Sequence, residues 1–123
     1  MVNGLDNPVK RKSFQFALRI VKLSKHLQDD KKEFVLAKQV LRSGTAIGAL
    51  VREAEHAQSR KDFTNKMNIA LKEANETDYW LAILHKSGYL TQDAYESIQP
   101  DIQELMKLLV SIVKTSKRQP NAQ

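Results

Sequence analysis

An apolar stripe of helical spacing runs through the last quarter of this 123-residue chain. Its members recur every three or four residues, at about 100° per residue, which is the period of an amphipathic α-helix. The stripe consists of Ala94, Tyr95, Ile98, Ile102, Leu105, Met106, Leu109, Ile112 and Val113. Pro100 falls on the opposite, solvent-facing side, where it removes one backbone hydrogen bond and is expected to kink the helix. A kink is preferred to a break because the apolar stripe keeps its phase across the proline. No part of the sequence alternates as a strand does, and the chain is therefore predicted to be all-α.

Capping signals divide the chain into four predicted helices. They comprise an Asn cap before proline, an acidic pair that suits a helix N-terminus, a capping-box outline, a C-terminal glycine and a Thr cap. These signals are Asn7–Pro8, Asp29–Asp30, Ser59 with Asp62, Gly88 and Thr91. The predicted helices cover residues 8–28, 31–58, 60–87 and 92–116, between frayed termini. Because the connections are short, we expect a single domain, residues 1–123, folded as an up-and-down antiparallel four-helix bundle.

Cysteine content and hydropathy limit the class of protein. The chain has no cysteine, which excludes disulfides, thiolate metal sites and a cysteine nucleophile. No apolar run of about 18 residues is present, so no membrane span is expected. The N-terminus lacks the apolar segment of a secretory signal. We therefore expect a cytoplasmic protein.

The positive charge of the chain is concentrated in its first third. Residues 1–42 hold ten Lys or Arg and four Asp or Glu, whereas residues 43–123 hold ten of each, so the first segment accounts for the whole net charge of +6. Localised basicity is typical of proteins with an anionic partner, most often a nucleic acid. The simpler alternative is a solvated basic face.

The first helix carries more apolar surface than a bundle monomer needs. One arc contains Phe14, Ala17, Leu18 and Val21, and the other contains Phe16, Ile20, Leu23 and Leu27. An ordinary surface helix buries one stripe a little over 100° wide. We therefore predict a homo-oligomer in which the second arc, with Phe16, Ile20 and Leu23, packs against another subunit.

Trp80 lies off the core stripe of the third helix. Tryptophan is enriched at interface anchors, which places Trp80 in the predicted subunit interface. The alternative is that Trp80 closes the edge of the core of its own monomer.

Two of the four glycines lie on successive turns of the second helix, at Gly44 and Gly48. Each costs about 1 kcal/mol of helix propensity relative to alanine. Without β-carbons on that line, a neighbouring helix can approach closely, and we predict close helix packing there. A phosphate-binding glycine loop is rejected because there is no Walker sequence, no preceding strand and no helix start. A local kink is the lesser alternative.

A second line of the same helix carries Arg42 and Glu53 separated by alanines. Glu73 and Glu76 of the third helix are placed to complete a partly buried ion network. Solvated charges on an exposed face are an equally good interpretation.

Residue patterns for catalysis and metal binding are weak. Glu53 and His56 form a single Glu-x-x-His pair, whereas a di-iron site needs two such pairs and two further glutamates. His26 and His85 lie on other helices without ligand spacing. We expect no catalytic residue, no metal and no cofactor, and hence no enzymatic activity, small-molecule substrate or membrane partner.

Binding of RNA or DNA is the leading functional hypothesis. Cations of the first helix and the start of the second are expected to contact phosphates with salt-dependent, sequence-tolerant affinity. The predicted contact residues are Lys12, Arg19, Lys22, Lys38 and Arg42. The alternative is a protein–protein adaptor or scaffold in which the basic arc only aids solubility.

Three segments resemble a known bacterial family. They read FALRIVKLSKHL (16–27), KKEFVLAKQVLRSGTAIGALVREAEHAQSRKDFTNKMNIALKEANETDYWLAIL (31–84) and LLVSIVKTSK (108–117). Together they resemble the four-helix-bundle proteins related to the 23S ribosomal RNA intervening-sequence protein. The resemblance implies a left-handed up-and-down bundle, a homopentamer, a connection with ribosomal RNA genes and no established enzymatic activity. A more distant relative accompanies the reverse transcriptase of diversity-generating retroelements.

This sequence departs from the family pattern S-G-T-S-I-G-A-N-x-x-E-A at two positions. Ala46 stands where the family usually has Ser, and Leu50 stands where it has Asn. Gly44, Gly48 and Glu53 match the pattern. Any interhelical or pore contact made by the two polar groups in relatives is therefore expected to be lost.

Overall fold

A computed structural model of the chain describes residues 7–118, and this part is built from four helices. They are α1 (Pro8–Asp29), α2 (Val35–Glu55), α3 (Arg60–Lys86) and α4 (Gln92–Arg118). No strand occurs within residues 7–118, and the predicted all-α class is confirmed. The termini predicted to be frayed lie mostly outside these residues.

The capping signals act largely as the sequence predicts. The side chain of Asn7 accepts hydrogen bonds from the amides of Val9 and Lys10, and Pro8 begins α1. Ser59 Oγ accepts from the amide of Asp62 at 3.0 Å at the start of α3. In the same way Thr91 Oγ1 accepts from the amide of Ala94 at the start of α4. Gly88 follows α3 with φ +85°, a conformation that favours glycine.

The second helix is shorter than the predicted range 31–58. Lys32 has φ +55°, a left-handed conformation that is incompatible with a right-handed helix, so α2 begins only after this residue. Glu33 then accepts a hydrogen bond from the amide of Leu36 at 2.8 Å, so it satisfies a donor of the first turn of α2. The predicted role of Asp29–Asp30 is therefore wrong: the pair ends α1, where Asp30 bonds His26.

The C-terminal end of α2 also falls earlier than predicted. The helix ends at Glu55, and His56 leaves the helical conformation. The amide of Gln58 donates to the carboxylate of Asp62 at 3.2 Å. Residues just before α3 therefore serve its N-terminal cap rather than extending α2.

Adjacent helices run in opposite directions around a closed ring. Lys10 of α1 pairs with Glu55 of α2 at 3.0 Å, while Ser24 further along α1 donates to the carbonyl of Ala37. The other three pairs of neighbouring helices show the same inverted order. The contacts are Arg42–Glu73 and Glu53–Lys66 between α2 and α3, Thr64–Ser116 and His85–Gln92 between α3 and α4, and Lys12–Glu104 and Arg19–Asp101 between α1 and α4. Among the described residues no Cα of α1 lies within 8 Å of α3 and none of α2 within 8 Å of α4, and α1 approaches α4 over fewer residues than it approaches α2. This is an antiparallel four-helix bundle.

The apolar arc of α1 that was predicted to face another subunit lies in the core instead. Phe16, Ile20 and Leu23 are 2%, 0% and 9% exposed, because they face the core of their own chain. Their assignment to a subunit interface is therefore wrong. The other arc contains the exposed residues, and periodicity alone could not rank two arcs that are equally apolar.

Both glycines of α2 lie on the side of the helix that faces α1. A β-carbon on Gly44 would come within 2.8 Å of Ile20 Cγ1 and Cγ2. One on Gly48 would meet the Oγ and backbone of Ser13 at 3.4–3.5 Å. The helix continues through both positions. The missing side chains therefore allow α1 to pack directly on α2, with Ile20 seated over Gly44.

Small hydroxyl side chains form hydrogen bonds between helices inside the bundle. Thr77 of α3 donates to Ser43 Oγ of α2 at 2.9 Å, and Ser24 of α1 donates to the carbonyl of Ala37 at 3.2 Å. Within residues 7–118, every fully buried side-chain polar atom has a hydrogen-bond partner. The core therefore contains hydroxyl groups without an unsatisfied polar atom.

Candidate functional site

The five cations predicted to contact phosphate fall into two groups. Lys12, Arg19 and Arg42 form ion pairs with carboxylates of neighbouring helices. Lys22 and Lys38 are exposed and take part in none of the ion pairs found in residues 7–118. The structure therefore separates cations that join helices from cations that face solvent.

Lys12 and Arg19 line the edge where α1 meets α4. Lys12 Nζ lies 2.9 Å from the Glu104 carboxylate, and Arg19 Nη1 lies 2.7 Å from that of Asp101. Arg19 also donates to the carbonyl and the hydroxyl of Ser97, at 3.0 and 2.8 Å. Two side chains predicted to bind phosphate are thus already paired with carboxylates of α4.

Arg42 joins α2 to α3 through two carboxylates, those of Glu73 and Glu76. Glu76 also accepts a hydrogen bond from Trp80 Nε1 at 2.9 Å. The Trp80 indole and the Arg42 guanidinium lower the pKa of Glu76, and its carboxylate in turn raises the pKa of Arg42. Three of the four predicted members, Arg42, Glu73 and Glu76, are therefore joined, but at the surface, with the Arg42 side chain half exposed.

Glu53 does not belong to this network. It pairs with Lys66 of α3 at 3.1 Å. His56 lies at the C-terminal end of α2 and is exposed. Within residues 7–118, no group of three or more His, Cys, Asp or Glu side chains is arranged to hold a metal ion.

The outward faces of α1 and α2 retain a set of cations without carboxylate partners. Besides Lys22 and Lys38, the exposed residues Arg11 and Lys25 take part in none of the ion pairs of the described chain. Arg11, Lys22 and Lys25 share the solvent side of α1. Sequence pattern could not separate this set from Lys12 and Arg19, because the separation depends on where the acidic residues of α4 lie.

An exposed apolar stripe runs beside these cations on α1. Phe14, Leu18 and Val21 are 50%, 52% and 40% exposed, although their spacing of four and three residues is that of a packed helix face. The guanidinium of Arg52 from α2 lies 5.4 Å from the centre of the Phe14 ring. The surplus apolar surface inferred from sequence is therefore present, at this stripe.

Trp80 is partly buried against the core, and its ring meets that of exposed Tyr79 edge-on at 5.3 Å. It thus contributes to the edge of its own monomer, which was the alternative interpretation of this residue. Tyr79 leaves an aromatic surface on the solvent side of α3.

The two departures from the family pattern lie on one side of α2. Leu50 is half-buried and packs against the hydrophobic core, so the usual Asn is replaced by an apolar contact. Ala46 is also half-buried.

None of the four described helices combines the length and hydropathy needed to cross a membrane.

Comparison with known proteins agrees with the bundle architecture. A model of the 23S rRNA-intervening sequence protein family matches residues 6–111. A crystal structure of a protein of unknown function from the S23 ribosomal protein family of Bacteroides thetaiotaomicron, at 1.70 Å resolution, has 62% sequence identity and a TM-score of 0.85. The match covers 86% of this chain and 98% of that one. No curated protein matches the chain. On the family match over most of its length, the chain belongs to the 23S rRNA-intervening sequence protein family.

Proposed function

We propose that this protein is a non-catalytic homo-oligomer that binds nucleic-acid phosphates through the outward faces of α1 and α2. The observation that supports it is the set of exposed cations without carboxylate partners, Arg11, Lys22, Lys25 and Lys38. The family name refers to ribosomal RNA, which makes RNA the first ligand to test. Lys12, Arg19 and Arg42 are left out of the contact set, because each is held by a carboxylate.

The oligomer is proposed from the exposed stripe of Phe14, Leu18 and Val21. An exposed apolar row of this kind, beside charged residues, is typical of a surface that associates with another protein. A second subunit would cover the stripe and repeat the adjacent cations around the assembly. Repetition strengthens a weak charged surface by avidity. A pentamer is the assembly that the family resemblance favours.

The test of RNA binding is a titration of the full chain with a structured RNA at several salt concentrations. The test variant carries Lys22→Gln, Lys25→Gln and Lys38→Gln. A matched control carries Lys66→Gln, Lys72→Gln and Lys86→Gln on α3, which changes the net charge equally. We expect the test variant to lose about two to three units from the slope of log Kd against log salt, at a slope of 0.7–0.9 per phosphate contact. Equal slopes for the two variants would exclude this surface.

The second candidate function is a protein–protein adaptor, and the exposed apolar stripe of α1 is the observation that favours it. Docking of an apolar surface responds little to salt, whereas phosphate contacts weaken steeply as salt rises. An oligomer that shows no salt-dependent affinity for RNA would support the adaptor.

A further inference from the structure

The C-terminal half of α4 carries a basic groove that belongs to neither surface described above. Its volume is about 540 Å³. The polar side chains that line it are Gln103, Lys107, Ser111, Lys114, Thr115 and Arg118. Three are cations and three are neutral polar groups, of which Gln103 already donates a hydrogen bond to Asp78. The lining contains no carboxylate.

The three cations form one row along the helix. Lys107, Lys114 and Arg118 are separated by seven and four residues, which places them on the same face at rises of about 10 and 6 Å. Successive phosphates of one strand rise by about 3.4 Å along the axis of duplex DNA, and those of other nucleic acids are separated by a few ångströms as well. A row of this length therefore reaches several phosphates of one strand.

No carboxylate of the described chain forms an ion pair with the row, although Asp78 accepts a hydrogen bond from Gln103 at one end of the groove. Glu104 is the last acidic residue of α4, and its carboxylate pairs with Lys12 of α1. Lys107, Lys114 and Arg118 occur in none of the ion pairs within residues 7–118. The net charge of residues 43–123 is zero, because acidic residues in the first half of α4 offset the cations of its second half. The net charge of this segment therefore does not indicate the basic groove.

A second groove, between the start of α3 and the end of α4, has a similar lining. Lys61 and Lys117 line it together with Asn65 and Asn68. Asp62 is also present, but its carboxylate accepts a hydrogen bond from the amide of Gln58. Lys, Arg, Ser, Thr, Asn and Gln are the side chains that contact phosphate and sugar in nucleic-acid complexes.

We propose that the groove of Lys107, Lys114 and Arg118 is a second binding surface for the phosphate backbone of RNA. The proposal takes RNA as ligand from the proposed function, but it places the contact on a different helix. A lipid surface fits the groove poorly, because an interfacial helix must offer its apolar face to the bilayer. The apolar face of α4, with Ile102, Leu105 and Leu109, is buried in the bundle core. The side chains around the cations favour a hydrated, sequence-tolerant contact.

The experiment compares three variants of the full chain in binding a structured RNA across a range of salt concentrations. The α4 variant carries Lys107→Gln, Lys114→Gln and Arg118→Gln. The α1–α2 variant (Lys22, Lys25 and Lys38 to Gln) and the α3 control (Lys66, Lys72 and Lys86 to Gln) remove the same charge elsewhere. Circular dichroism checks that each remains folded. We expect the α4 variant to lose about two to three units of salt slope relative to the α3 control.

The outcomes separate this inference from the proposed function. An unchanged slope for the α4 variant overturns the α4 surface, whatever the α1–α2 variant does. A loss in the α4 variant alone supports the α4 surface and removes the α1–α2 surface from the proposed function. If the unmodified protein binds no RNA, both are overturned. Binding to phosphatidylserine vesicles that needs Lys107, Lys114 and Arg118, without RNA binding, also overturns the inference.

Discussion

At the scale of single residues, Gly44 and Gly48 differ in what surrounds them. The space above Gly44 is filled by the β-branched portion of Ile20, which is fully buried and close to its own backbone. The neighbour of Gly48 is Ser13, at a normal van der Waals distance from an added β-carbon. Two glycines of the same spacing motif therefore tolerate a methyl group differently.

We predict opposite effects for alanine at these two positions. Gly44→Ala should destabilise the fold by about 1–3 kcal/mol, because the new methyl group displaces Ile20 from a packed core. Gly48→Ala should be neutral or should stabilise the fold by up to about 1 kcal/mol through helix propensity. Chemical denaturation of both variants measures the difference. Equal effects would contradict the steric role assigned to Gly44.

A second prediction concerns pH and the Glu76 carboxylate. Trp80 and Arg42 lower the pKa of Glu76 below its ordinary value of 4.5, with Glu73 as the other carboxylate on Arg42. A carboxyl group whose pKa is lowered by folding stabilises the folded state above its unfolded-state pKa. That contribution is lost as pH falls through the folded-state pKa. Because the groups are at the surface, we expect it to be below about 1 kcal/mol.

The measurement is denaturation of the native protein and Glu76→Gln at neutral and acidic pH. The native protein should be the more stable at neutral pH, and the difference should shrink as the pH falls below about 4. The fluorescence of Trp80, the single tryptophan, should titrate over the same range. A difference in stability that does not depend on pH would exclude the assigned role.

At the scale of the helices, α1 uses its two flanks differently. It meets α2 through Gly44 and Gly48, where backbones approach closely, and it meets α4 through the pairs of Lys12 and Arg19. One flank has close backbone packing, and the other carries two partly exposed ion pairs beside its apolar contacts. Salt should therefore affect the α1–α4 contact more than the α1–α2 contact.

We predict that Arg19→Gln destabilises the bundle by about 0.5–1 kcal/mol, since it removes an ion pair and hydrogen bonds to Ser97 at a partly exposed site. The loss should be smaller at high salt. Lys22→Gln is the matched control on the same helix and should leave stability unchanged. Thermal denaturation of both variants at two salt concentrations measures the effect. A comparable loss in Lys22→Gln would show that net charge alone is responsible.

Much of the helix layout follows from local chemistry in the sequence. Asn7, Ser59, Gly88 and Thr91 act on the backbone within a few residues, so their roles can be predicted without tertiary structure. The start of α2 could not be predicted in this way, because it depends on the positive φ of Lys32. The candidate site was harder still: the carboxylates that occupy Lys12, Arg19 and Arg42 come from other helices, and their register is set by packing.

At the scale of the whole molecule, the bundle has a buried core that uses one arc of α1 and leaves the other free. Phe16 and Ile20 supply the apolar contacts of α1 with the core of its own chain. Phe14, Leu18 and Val21 then remain for contact with a second copy, which is the basis of the proposed oligomer.

We predict that Leu18→Glu dissociates the oligomer and leaves the helices intact, because this side chain is half exposed and is not one of the buried core residues. Phe16→Glu should instead unfold the protein, since it places a charge in the core. Light scattering measures the particle size, and circular dichroism measures the helix content. An unmodified protein that is monomeric would remove the oligomer from the proposed function.

The edge between α1 and α4 has a consequence for the order of assembly. Each helix packs on its neighbours in sequence, so contacts among α1, α2 and α3 can form while the chain is still being synthesised. α4 is made last, and until then Lys12 and Arg19 face water without the carboxylates of Glu104 and Asp101. We therefore expect closing of the ring to be a late step, in which packing of α4 on α3 brings Asp101 and Glu104 to Arg19 and Lys12.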